Sequence, residues 1–236
     1  MKESFKKFIG INKNEEARNQ WLSETLAAIP PGLRILDAGA GELRNKPLCT
    51  HLNYVSQDVC QYQGDGDGQG LQTGTWDTSN IDVVCDITNI PEADASFDVI
   101  LCSEVFEHLP DALRALDEFS RLLKQDGKLI ITAPFASLVH FAPYHFVSGF
   151  SRYWYEYHLP LRNFIILELI PNGDWFSYTK QEILRLPGMA RHYGSWCWPL
   201  AYLVTAIGCL YFSLHGKSRT AEDVGCFGWH CIAVKS

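Results

Sequence analysis

No C-x-x-C pair occurs among the eight cysteines, at positions 49, 60, 85, 102, 197, 209, 226 and 231. Neither a zinc-finger nor a thioredoxin-like spacing is therefore available, and no metal centre is expected. Several of these cysteines fall inside apolar, strand-like runs, where a reduced thiol behaves as a small buried hydrophobe. That usage fits a reducing cytoplasm. Basic residues are in deficit too: 20 Lys and Arg face 27 Asp and Glu, for a net charge of -7. A nucleic-acid surface needs clustered cations, so nucleic acid is excluded as a partner. The one basic cluster, Lys2, Lys6, Lys7 and Lys13, reads as a solvated tail or helix face. Lysines interrupt Phe5, Phe8, Ile9 and Ile11, and no secretory signal is expected there.

What is present suits one globular domain over residues 1–236, 47% hydrophobic and 20% charged, with a full core. Ala17, Trp21, Leu22, Leu26 and Ile29 recur at helical spacing through 14–29, with Asn14 as candidate cap and Pro30-Pro31-Gly32 as the stop. Strand-like runs follow at 33–38, 53–58, 81–86, 97–103, 128–135, 163–170 and 227–234. The first five alternate with crossovers, as in a doubly wound, mostly parallel α/β sheet. Residues 110–124 place Leu113, Leu116, Phe119, Leu122 and Leu123 on one helical face, opened by Pro110 and followed by an Asp126-Gly127 turn.

Two segments break this rhythm. Residues 61–80 are polar and glycine-rich, so a flap is expected rather than a crossover helix. Asp65, Asp67 and Gly70 imitate a calcium loop, but its twelfth position is Trp76 where the loop needs Glu. Residues 192–216 contain no Asp, Glu, Lys or Arg. A bilayer span there would strand the last strand across the membrane, so the expectation is a helical insertion, either buried or resting on lipid through Trp196, Trp198, Tyr202 and Tyr211.

The stretch 36-LDAGAGE-42 follows the first strand and supplies Gly39 and Gly41. A dinucleotide loop would place a third glycine at position 44, where Arg44 stands. Glu42 would sit beside a pyrophosphate. Two unit charges about 5 Å apart at an effective dielectric near 20 repel by roughly 3 kcal/mol. The loop suits a ligand with positive charge and no phosphate.

S-adenosylmethionine has that character, and the chain from about 33 to 135 resembles class I S-adenosylmethionine-dependent methyltransferases of the type 11 group. The resemblance rests on 36-LDAGAGE-42, 54-YVSQD-58, 85-CDITNIP-91, 97-FDVILCSEVFEHLPD-111 and 121-RLLKQDGKLIITAPF-135, in register. It implies a Rossmann-like sheet with an antiparallel last strand and a helical insertion before it. It further implies Asp37 near the methionine amino group, Gly39, Ala40 and Gly41 beneath the cofactor, and Asp58 with Val59 at the ribose. Asp86 and Ile87 would meet the adenine, and Ser103 the methionine end. The helix after the glycine loop would be short, since only 43–52 separate it from the second strand. No D/N-P-P-Y/F tetrapeptide follows the fourth strand, which argues against methylation of base amino groups, and no Pro-Cys nucleophile stands there.

Segment 136–226 is assigned to a substrate lid and the hydrophobic insertion. In 136–159 lie His140, Tyr144, His145, Arg152, Trp154, Glu156 and His158. His145, in a P-Y-x-F stretch, is the first candidate general base, and His108 the second. Glu104 and His108 stand four apart, the spacing of one helical turn. The aromatic density of this segment suits the apolar face of a sugar ring, and the lid resembles those of surface-polysaccharide enzymes. The expected reaction is O-methylation of a sugar or lipid-linked saccharide in the cytoplasm, with membrane contact through 192–216 if that segment rests on lipid and is not buried. Alternatives are methylation of an isoprenoid or quinone lipid at the membrane surface, or a cofactor-binding subunit without turnover. A nicotinamide oxidoreductase is disfavoured by Glu42 and Arg44.

Overall fold

The computed structural model describes residues 13–214 and 221–236. Lys2, Lys6, Lys7 and the neighbouring Phe5, Phe8, Ile9 and Ile11 lie outside the described residues, as do positions 215 and 216. The chain expected as one domain divides into two compact units. One comprises Gln20–Ile170 and Gly228–Ser236; the other comprises Pro171–Phe227 and the chain up to Asn19.

The first unit is built on strands β1 (Arg34–Ala38), β2 (Asn53–Asp58), β3 (Val83–Val84), β4 (Phe97–Ser103), β5 (Leu123–Pro134), β6 (Phe164–Asn172) and β7 (Gly228–Lys235), in the order β3-β2-β1-β4-β5-β7-β6. β1 pairs in parallel with β2 and β4, β2 with β3, and β4 with β5, while β7 runs antiparallel to β5. The doubly wound sheet with a reversed last strand is thus as the sequence implied. Its central strands are covered on both faces, which is why they read as continuous apolar runs. Ile35, Leu36, Ile100, Leu101 and Ile130 are fully buried.

Helix α1 (Lys13–Ala27) sends Leu22 and Leu26 into a cluster with Ile29, Ile35, Cys49, Leu52, Val99 and Leu101. Truncating such a buried leucine typically costs about 2–5 kcal/mol. Helix α2 (Ala112–Leu122) opens two residues later than Pro110 suggested, because Asp111 accepts from the backbone N–H groups of Leu113 and Arg114. A cap of this kind is worth about 0.5–2 kcal/mol. The Asp126-Gly127 turn lies inside β5. Register moves from Phe97↔Leu123 to Val99↔Lys128, so the turn is a bulge within a longer strand. The third strand, expected over 81–86, shrinks to two residues.

The second unit contains helices α4 (Trp175–His192) and α5 (Trp198–Leu214), numbered after α3 (Arg152–His158) of the first unit. Asp174 caps α4 by accepting from Ser177. Gly208 of α5 lies against Ile183 of α4, where an added Cβ would meet Ile183 Cγ2 at 3.0 Å. Asn14 is inside α1 and not its cap; its side-chain oxygen accepts from Asn172. The apolar segment at 192–216 yields a 17-residue helix, and no helix among the described residues is long and apolar enough to cross a membrane. Nor is its surface interior. Leu200, Tyr202, Leu203, Ile207, Leu210 and Tyr211 are all more than half exposed, and Trp196 is 93% exposed.

Candidate functional site

The glycine loop leaves β1 at its C-terminal end and turns sharply, with Gly39 at φ 76° and Gly41 at φ 52°. Gly39 and Ala40 donate to the carbonyl of Gln57 at the end of β2. Gly41 donates to Asp58 Oδ2 at 3.0 Å, and Cys60 donates to Oδ1 of the same carboxylate at 2.8 Å. Both glycines are needed for closeness as well as for φ. A Cβ on Gly39 would lie 2.5 Å from Val105 Cγ2, and one on Gly41 would lie 2.6 Å from Trp76 Cζ2.

Glu42 is not an isolated charge, because Arg44 reaches it at 3.0 Å. The repulsion expected between Glu42 and a phosphate is therefore partly cancelled. A second feature makes the stronger case. A dinucleotide phosphate rests on the N-terminus of the helix that follows its loop. Here the chain between 43 and 52 forms only the 3-10 turn Lys46–Cys49, and Gly41 N–H already faces a carboxylate.

Asp37 sits at the end of β1, 1% exposed. Tyr54 donates to it at 2.6 Å and Asn45 at 3.3 Å. Burial outweighs these donors and raises its carboxyl to a pKa of about 6. Asp86 follows β3 and is exposed, its Oδ1 accepting from the N–H and hydroxyl of Thr88. Those bonds hold its carboxyl below the ordinary range. The neighbouring Ile87 is buried, whereas Val59 after β2 is 44% exposed. The loop carrying Asp86 and Ile87 is pinned from α2: Glu118 accepts from Ile90 N–H, and Arg121 donates to the carbonyls of Ile90 and Glu92. Ser103 shares a hydrogen bond of 2.8 Å with Thr132. These acids and small residues thus occupy consecutive C-terminal strand ends, the edge where open α/β sheets bind ligands.

Beyond β4 the chain does not make the α-turn that would align Glu104 with His108. Glu104 has φ 56° and accepts from Thr132 on β5. The short helical turn begins only at Phe106, so Glu107 and not Glu104 faces His108, at 3.8 Å. The lid loop is tied to this turn. Phe146 and Val147 donate to the Glu107 carbonyl, and His108 Nδ1 donates to the Tyr144 carbonyl at 2.6 Å. His108, His140 and His145 come together with ring centroids 4.7–5.9 Å apart. Burial, and then His140, lower the pKa of His108 to about 4 and also lower that of His145. His108 is therefore a neutral ring at pH 7. Both nitrogens of His145 are buried without a hydrogen-bond partner.

The flap 61–80 is ordered by this same lid. Tyr62 stacks on Phe141 at 4.4 Å, Trp76 meets Phe141 edge-on at 5.1 Å, and Phe141 stacks on His108 at 5.1 Å. An aromatic chain therefore runs from Gly41 through Trp76 and Phe141 to His108. The other lid aromatics divide between core and surface: Phe150 and Tyr155 are buried, while Phe146, Tyr153 and Tyr157 are exposed. Arg152 pairs with Glu156 on α3. Trp154, Glu156 and His158 line a separate shallow groove of about 630 Å³. None of the three contacts the histidine cluster in the described hydrogen bonds or ring pairs. Glu107 and Trp76 are the residues that sequence reasoning left out of the site, while His140 stood among the lid candidates without being chosen as the base. For His140 the signal was its place five residues before His145, across the turn at Pro143.

Residues 36–131 match the model of the methyltransferase domain family. Over this span the chain is similar to methyltransferase domains. An uncharacterised protein of Methanocaldococcus jannaschii is 43% identical over 49 residues, about a fifth of the length of either chain. Among solved structures, the geranyl diphosphate C-methyltransferase of Streptomyces coelicolor superposes with a TM-score of 0.53 at 13% identity, covering 94% of this chain and 79% of that one. The phosphoethanolamine N-methyltransferase 2 of Haemonchus contortus, in complex with S-adenosyl-L-methionine, gives 0.53 at 17% identity, over 92% of this chain and 52% of that one. The [4+2]-cyclase SpnF gives 0.54 at 19%, over 91% and 79%. These likenesses are of fold, and the cyclase among them shows that a methyltransferase domain's fold does not fix its chemistry.

Proposed function

We propose that this chain is a methyltransferase that uses S-adenosylmethionine as methyl donor and transfers the methyl group to a hydroxyl of a sugar or lipid-linked saccharide. The observation that carries the donor is the Gly41–Asp58 bond, which sets an acid against the glycine loop. The residues fit the group. Gly39 and Gly41 let the loop turn tightly against Val105 and Trp76, and the surrounding acids suit hydroxyls and cations. Asp58, beside Val59, holds the ribose hydroxyls; hydrogen bonds to a charged group are worth about 1.5–3 kcal/mol each. Ile87 packs on the adenine and Asp86 accepts from its amino group. Asp37 faces the ammonium and Ser103 the methionine end. When bound, the sulfonium supplies an electrophilic methyl group, and the protein's task is to place the acceptor in line with it.

The acceptor side is the histidine cluster. His145 keeps two buried nitrogens without a partner, so it is the first candidate to receive the hydroxyl proton; His108, neutral but bonded to Tyr144, is the second. Exposed Phe146 and half-buried Tyr144 offer faces for a sugar ring. The exposed apolar side of α5 favours an acceptor presented at a membrane surface, and it equally supports the second reading, an isoprenoid or quinone lipid as acceptor. Calorimetry tests the donor. S-adenosylmethionine is expected to bind at one site per chain, and NAD not at all; binding of NAD in its place would overturn the assignment.

A further inference from the structure

His108, His140 and His145 present ring nitrogens that all lie within 4.8 Å of one another. Two of the three have their tautomer set by the backbone. His108 Nδ1 lies 2.6 Å from the Tyr144 carbonyl, and His140 Nδ1 lies 2.9 Å from that of Leu138. A carbonyl only accepts, so each Nδ1 carries the hydrogen and each Nε2 keeps its lone pair. This is how metal-binding histidines are oriented by their surroundings. Both Nε2 atoms then face one oxygen, Glu107 Oε1, at 3.8 and 4.0 Å. Those separations are too long for hydrogen bonds. The ring nitrogens themselves, within 4.8 Å of one another, approach the spacing of about 3.3 Å between ligands that each stand 2.0–2.1 Å from one tetrahedral ion. His145 adds two buried nitrogens that no protein donor or acceptor satisfies, and Glu107, 1% exposed, adds a buried carboxyl group.

We propose that His108, His140 and His145 bind a divalent transition-metal ion beside Glu107, with its remaining position open toward the acceptor. Three imidazoles suit zinc best among the common ions, whereas magnesium and calcium prefer oxygen ligands. The site rests on the methyl-transfer reading for its use, though not for its existence. A hydroxyl bound to the ion loses its proton to solvent near neutral pH. Its oxygen lone pair forms the new O–CH3 bond as the C–S bond breaks. The bonding pair stays on sulfur, and the sulfonium leaves as a neutral thioether. His145 then acts as a ligand in place of a base.

The test uses the full chain, stripped with a chelator and titrated with Zn2+, and with Co2+ as an optical probe. One ion per chain is expected, with a Co2+ spectrum of low coordination number. His140→Ala should weaken Zn2+ by more than the roughly 10–100-fold loss typical of an outer partner. S-adenosylmethionine should bind that variant as it binds wild type, which shows the fold intact. Acetohydroxamate, standing in for the acceptor oxygen, should shift the Co2+ bands. Absence of stoichiometric Zn2+ binding, or affinity equal to wild type in both His140→Ala and His145→Ala, overturns the site; unshifted bands overturn the open position. If Zn2+ binds and S-adenosylmethionine does not, the donor reading fails and the metal site stands.

Discussion

The cofactor end and the acceptor end of the site differ in how their polar atoms are placed. Around the glycine loop, Asp37, Asp58 and Asp86 each accept from protein donors. At the acceptor end, His145 has two buried nitrogens with no partner, and two Nε2 atoms of neighbouring histidines point at one carboxylate without reaching it. Buried polar groups are normally satisfied. The first region is therefore a cradle complete in itself, and the second is a set of converging ring nitrogens, of which the two of His145 have no protein partner.

Breaking the cradle should have the largest effect. Gly39→Ala combines a positive φ, costing about 1–2 kcal/mol for an L-residue, with overpacking against Val105, costing about 1–3 kcal/mol more. Cofactor binding should disappear from calorimetry and the thermal midpoint should drop. Unchanged affinity would mean that the loop is not the donor site.

A smaller effect sharpens the electrostatic side. Asp37 has its folded pKa raised from 3.8 to about 6, chiefly by burial. A raised carboxyl stabilises the fold fully below the unfolded pKa, and that contribution is lost as pH rises through the folded value. A rise of that size corresponds to about 3 kcal/mol. The stability of wild type relative to Asp37→Asn should fall by up to that amount between pH 4 and 7, as read by urea denaturation at each pH. A pH-independent gap would show that Asp37 ionises as freely in the fold as in the unfolded chain.

Much of the cradle was legible because it is local. A glycine turn, an acid at a strand end and an acid-plus-apolar pair each lie within a few residues, and parallel strands buried on both faces announce themselves as apolar runs. What sequence missed depends on distant segments meeting. Glu104 and His108 had helical spacing, yet β4 ends with a positive φ at Glu104, so Glu107 turned inward instead. His140 joins His108 only because the lid folds back and hydrogen-bonds to the Glu107 carbonyl through Phe146 and Val147. Glu42 looked like a lone charge because the sequence does not show that Arg44 curls back to it. The two compact units were hidden for the same reason, since the second is assembled from both sides of the chain.

A crystal structure with S-adenosylhomocysteine tests the central assignment most directly. Both ribose hydroxyls should lie within hydrogen-bond distance of the Asp58 carboxylate, with the adenine ring against Ile87. A nucleoside bound away from residues 39–41, with Asp58 still satisfied only by Gly41 and Cys60, would contradict it.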